Sequence, residues 1–180
     1  MSMHTDGRGF AEFRGRIGSA ALATIADHWK AALGNKRLPV WTAIEPSWIA
    51  PHLTRVFAFT YDRRSGEITR SLVGGQLLAM FAGSHRGTPL EQLQAPRLAL
   101  RMHLTVSRVV LEPAFYRGTG KLFRQGPHVV EGERIVLPLS TDGLNGDGAL
   151  GASDYHHPLV ESATDPVEVL HDGEEWFAVS

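Results

Sequence analysis

The chain has 180 residues, 43% of them hydrophobic, no cysteine and a formal net charge of −1. That length holds one domain with a substantial core and is short for two. The missing cysteines exclude disulfides, thiolate nucleophiles and cysteine-ligated metals, and no apolar run approaches the roughly 20 residues a membrane helix needs.

The charge is unevenly spread. Residues 1–134 hold all 18 Lys and Arg against ten acids, a net of +8, and the remainder carries nine acids and no Lys or Arg. Either the acidic tail neutralises its own basic domain at long range, or it competes with an anionic partner for a basic surface. The basic residues neither cluster nor interleave with aromatics, so the first reading is preferred and nucleic acid is not an expected partner.

In chain order, residues 1–18 read as a flexible lead-in, because Gly7, Gly9, Gly15 and Gly18 are all costly in a helix. Met1–Gly9 has no apolar signal-peptide core, so a cytoplasmic protein is expected. Residues 19–52 form a helix and connector. Ser19 is the N-cap, and Leu22, Ile25, Trp29 and Leu33 recur at helical spacing, ending at Gly34-Asn35. That stripe either packs on the domain's own sheet or forms a homodimer interface. Pro46 opens a single helical turn.

Leu53–Asp62 alternates as a first strand, and Arg63-Arg64-Ser65-Gly66 turns it into a second. In that second strand Ile68, Arg70 and Leu72 share one face, and Gly74-Gly75 ends it. Short helices are expected around Gln76–Ala82 and Leu90–Leu93. A longer helix runs from Pro96 to Leu111, with Ala99, Met102, His103, Val106, Val109 and Val110 on one face and Arg97, Arg101, Thr105, Arg108 and Glu112 opposite. Ala114–Phe123, Val129–Ser140 and a short run around Ala149–Tyr155 read as antiparallel strands. Residues 53–155 thus form the principal domain and 156–180 an acidic extension, ending in the apolar Trp176-Phe177-Ala178-Val179.

This order of elements is similar to that of PAS domains. Specific motifs sharpen the likeness: Trp29 followed by Leu38-Pro39, Glu45-Pro46, Ala50-Pro51-His52-Leu53, and Leu72-Val73-Gly74. To these are added Leu137-Pro138-Leu139-Ser140 with Asp142-Gly143, and Leu150-Gly151. Over about Leu22–Tyr155 the chain resembles a branch of bacterial single-domain PAS proteins. Arg70 departs from that branch, which carries an aromatic there. The resemblance implies an α+β fold: a five-stranded antiparallel sheet with a helical layer on one face, plus the N-terminal amphipathic helix. It further implies ligand sensing or protein–protein signalling.

On that fold, Phe57, Phe59, Arg70, Leu72, Met80, Phe81, Met102, His103, Leu104 and Tyr116 are the residues expected to line a pocket for a small molecule. Arg70 would present a guanidinium to a carboxylate or phosphate at the cavity mouth, or else pair with Glu67, Glu112 or Glu133. In haem-binding PAS proteins the axial histidine comes from the long helix, which makes His103 a haem candidate beside its reading as a core histidine; haem needs a matched cavity too. His156-His157 lacks metal-ligand spacing, and no Gly-x-Ser-x-Gly or phosphate loop is present, so no catalytic residue is expected. The expected function is a sensory domain signalling through association, as a homodimer or with a protein partner. The alternative is a ligandless interaction module with a filled core.

Overall fold

The computed structural model describes residues 9–73, 87, 89, 96–157, 167–170 and 172–179. The helices are α1 (Gly9–Arg16), α2 (Ala20–Leu33), α3 (Pro46–Ile49) and α4 (Pro96–Leu111). The strands are β1 (Val56–Tyr61), β2 (Ile68–Val73), β3 (Ala114–Gln125), β4 (His128–Ser140), β5 (Gly146–Tyr155), β6 (Val167–Val169) and β7 (Gly173–Ala178). They form one antiparallel sheet in the order β2-β1-β5-β4-β3, with β6 and β7 both paired to the outer edge of β3.

Both faces of this sheet are covered, so its central strands read as nearly continuous apolar runs. Val56 and Ala58 of β1, Ile135, Leu137 and Leu139 of β4, and Leu150 and Ala152 of β5 point to one face. There they meet Phe13 of α1 and Leu22, Ile25, Ala26 and Trp29 of α2. The alternate residues Phe57, Phe59, Val136 and Ala149 point to the other face, against Ala99, Val106, Val109 and Val110 of α4.

Ser19 caps α2, its hydroxyl accepting from Leu22 N at 3.3 Å, and Gly34 ends the helix at φ 56°. The apolar stripe of α2 is spent inside the chain. Leu22 and Ile25 are fully buried, Trp29 is 1% exposed, and only Leu33 sits at the rim. These four side chains therefore serve as core on the chain's own sheet and do not present a dimer interface. The Trp29 indole also donates to Pro138 O at 2.7 Å.

The lead-in expected over residues 1–18 is helical from Gly9. Phe10, Phe13 and Ile17 recur at helical spacing, and Phe13 stacks on Phe115 at 4.8 Å between ring centroids. Burial of these aromatics outweighs the helix cost of Gly15. Gly9 itself is needed, because a Cβ there would overlap Ala178 O.

The motifs that suggested the family meet in space. Leu38-Pro39-Val40 runs beside the end of β4: Ser140 N donates to Pro39 O at 3.0 Å, and Leu38 N donates to Gly143 O at 3.1 Å. Gly151 lies against the Phe57 ring, where a Cβ would overlap it. The first strand starts at Val56, because Leu53–Arg55 is still turn. The short helices expected around Gln76–Ala82 and Leu90–Leu93 lie outside the described residues.

The acidic extension folds onto the domain as β6 and β7. Its charges pair with bases from earlier in the chain: Glu174 with Arg101, Glu175 with Arg117 and Arg16, and Glu168 with Arg124. Asp154 at the end of β5 pairs with Arg55 in the same sense. The preferred reading of the charge asymmetry thus has a structural form.

Candidate functional site

Between α4 and the sheet, the described residues line a partly open cavity of about 40 Å³. Its floor comes from the strand residues that point toward α4, Phe57, Tyr116 and Val136, and its roof from Met102 and Val106 of α4. Four polar side chains converge on this apolar space. Arg101 and Thr105 come from α4, Arg134 from β4, and Glu174 from β7.

Register explains why Glu174 arrives there. β7 pairs Phe177 with Phe115, Trp176 with Tyr116, Glu175 with Arg117 and Glu174 with Gly118. Phe177 and Glu175 therefore face α1 and α2, and Trp176 and Glu174 face α4. Gly118 offers no side chain opposite Glu174, so the carboxylate leans over the neighbouring tyrosine: Tyr116 Oη donates to Glu174 Oε1 at 3.0 Å. The same carboxylate forms an ion pair with Arg101. Trp176 meets Tyr116 edge-on at 5.0 Å, and the Arg108 guanidinium lies 4.0 Å from the Trp176 ring centroid.

Arg134 differs from Arg101. Its Nε donates to Ser153 Oγ at 2.8 Å and its Nη2 to Tyr155 Oη at 3.2 Å, both neutral, and the guanidinium lies 5.9 Å from the Phe57 ring centroid. The cavity wall thus carries two guanidiniums and one carboxylate. Burial pushes the Tyr116 phenol above its ordinary value, against the opposing pull of Arg134 and Arg101, so Tyr116 stays a hydrogen-bond donor.

Apart from His103, the residues expected to line a pocket fall into four groups. Phe57, Met102 and Tyr116 line the cavity, and Phe59 is buried beside it in the same cluster. Arg70 is 4% exposed and pairs with Phe59, so it faces the same side, but it lies outside the cavity lining; burial lowers its pKa from the ordinary value. Met80 and Phe81 lie outside the described residues. Leu72 and Leu104 are corrections. Ala58 pairs with Leu72 and Phe59 with Arg70, so Ser71 is an extra residue. That bulge turns Leu72 onto the opposite face from Ile68 and Arg70, where it packs with the α2 cluster. Leu104 is 55% exposed and borders an open groove of about 400 Å³ between α4 and β7.

His103 is half-buried and outside the cavity lining. The cavity that the described residues line, about 40 Å³, is not haem-sized.

Arg101, Thr105, Arg134 and Glu174 are pocket residues that the sequence pattern did not single out. A helical projection puts Arg101 and Thr105 opposite the apolar arc, yet Thr105 is 8% exposed and lines the cavity, because the added edge strand β6 packs against α4 as well. Two signals were available: Arg134 shares a face with Val136, and Glu174-Glu175-Trp176-Phe177 alternates like a strand with one acid and one aromatic per face.

The fold and site together define an antiparallel-sheet domain with a small, partly open cavity under one long helix, a scaffold for sensing or interaction. The PAS domain family matches residues 17–153, and the chain belongs to that family. No curated protein matches the chain. The matched region stops before β6 and β7, so the strand that delivers Glu174 lies beyond it. Among the described residues no helix is long and apolar enough to cross a membrane.

Proposed function

We propose that this PAS domain is a sensory module that takes a small molecule between α4 and the sheet and reports it through association with a second copy or a protein partner. The observation that carries this reading is the convergence of Arg101, Thr105, Tyr116 and Arg134 on an otherwise apolar cavity. Specific ligand sites have that composition: mostly apolar, with a few placed polar groups. The stripe of α2 is buried, so association uses another surface. Small molecules released on denaturing the purified protein, identified by mass spectrometry, test the reading. A stoichiometric compound that raises thermal stability when added back supports it, and a protein that releases nothing and is stabilised by no compound in a metabolite screen argues against it.

One observation favours the second reading, a ligandless interaction module. A cavity of about 40 Å³ holds a water or two, where drug-sized ligands occupy on the order of 300–1,000 Å³. On the sensory reading, the site opens as the ligand enters.

A further inference from the structure

We infer that Glu174 is a built-in occupant of an anion subsite formed by Arg101, Arg134 and the Tyr116 hydroxyl, and that the ligand is a small organic monocarboxylate which displaces it. This rests on the sensory reading above and names the chemistry of the same cavity.

Three observations converge. Glu174 already receives the Tyr116 hydroxyl at 3.0 Å and pairs with Arg101, as an external carboxylate would. Arg134 lines the same cavity, and among the described residues its hydrogen bonds go to neutral hydroxyls, so its guanidinium charge adds to the attraction for whichever single carboxylate occupies the subsite. Behind these groups lie Phe57, Val106 and Val136, which suit an apolar body and not a second charge. A carboxylate entering here replaces the chain's own, and the cavity grows by the volume that the Glu174 side chain vacates.

The competition makes β7 the reporting element. On the cavity side, β7 is held by Glu174 and by the Trp176–Arg108 contact; on the other, by Glu175 and Phe177. Displacing Glu174 removes one of these ties and loosens the strand along the edge of β3.

Calorimetric titration of the full chain with benzoate and with hexanoate tests this. Glu174→Gln should bind at least one of the two about tenfold more tightly than wild type, the worth of one charged hydrogen bond. Arg134→Met should weaken binding by a similar factor. Glu175→Gln, which removes a charge from the same strand on the opposite face of the sheet, should leave the affinity within about twofold, because Glu175 pairs with Arg117 and Arg16 and not with the cavity residues. Equal affinity in wild type and Glu174→Gln, an equal gain in Glu175→Gln, or no binding to any of the proteins overturns the inference. Wild-type protein alone supplies a second test: saturating benzoate should speed hydrogen exchange across Gly173–Ala178, and unchanged exchange counts against displacement. A neutral compound released in stoichiometric amount from the purified protein would overturn the carboxylate subsite while leaving the sensory reading intact.

Discussion

The two faces of the sheet are built from alternate residues of the same strands, yet they are packed differently. Toward α1 and α2 the interior is large and apolar, with the Phe115 ring in contact with both Phe13 and Trp29. The charged cluster there is closed: Glu133, 6% exposed, accepts from Ser19 N at 2.7 Å, Gly18 N at 3.1 Å and Arg117 Nε at 2.6 Å. Burial disfavours the Arg117 charge, but hydrogen bonds to Glu133 and Glu175 outweigh it and raise its pKa. Toward α4 a cavity remains, and two arginines and one carboxylate line it, the carboxylate paired with Arg101. Partly buried ion pairs are often no better for stability than apolar packing. The two faces therefore divide the work. The helical face fixes the strands, and the α4 face keeps charges at the wall of a cavity.

Truncating each face tests that contrast most strongly. Trp29→Ala should cost about 3–5 kcal/mol by urea denaturation, from the lost ring and the orphaned Pro138 carbonyl. Met102→Ala, at a half-buried site beside existing free space, should cost about 2 kcal/mol. A larger loss at Met102 would mean the α4 face carries the stability instead.

The carboxylates give a second, smaller contrast. Glu133→Ala leaves Arg117 and two N–H groups facing an apolar wall and should cost about 3 kcal/mol. Glu174→Ala, whose ion pair is more than a quarter exposed on each partner, should cost about 1 kcal/mol or less. Equal costs, read from urea midpoints, would remove the distinction between a closed cluster and an exchangeable one.

Much of this arrangement was legible in local pattern, and what was not depended on the path of the chain. The alternation of Val56-Phe57-Ala58-Phe59 and the helical stripe of α2 announce their elements, since each period is set by local geometry. The two possible uses of that stripe could not be separated locally, because only the completed sheet shows the space it fills. The bulge at Ser71 carries no glycine or proline signal, and it alone moved Leu72 across the sheet. Glu174 could not be assigned to the cavity from residues 1–155, since its position follows from the β3–β7 register some 58 residues away from Tyr116. Acid and base sit far apart in sequence and become neighbours only through the added edge strands.

Gly151→Ala probes how tightly the two faces are coupled through one strand. Its new methyl would overlap the Phe57 ring on the cavity side, with Leu150 and Ala152 of the helical core on either side of it in the strand. Overpacking of this kind should cost about 1–3 kcal/mol in thermal or urea unfolding. Phe57 must move, so binding of benzoate should change as well. Lost stability with unaltered cavity binding would show that the faces are independent.

The smallest expected effect concerns acid. Asp142 caps the turn after β4: its carboxylate accepts from Asn145 N and Leu144 N at 2.8 Å each and from Asn145 Nδ2 at 3.0 Å, with Ser140 Oγ also 2.8 Å away. These bonds, the Asn145 N–H first among them, hold the carboxyl well below its ordinary value. A carboxyl depressed in the folded state stabilises it fully above the unfolded value, near 4, and loses that contribution as pH falls toward the folded value. Asp142→Asn should therefore be the less stable protein at neutral pH, with a flatter acid limb below about pH 4, and should converge on the wild type as pH falls toward the folded value. The turn presents Gly143 O to Leu38 N, so the acid-sensitive link belongs to the helical face. Unfolding midpoints measured across that range should separate the two proteins, and superimposable acid limbs would place the acid sensitivity elsewhere.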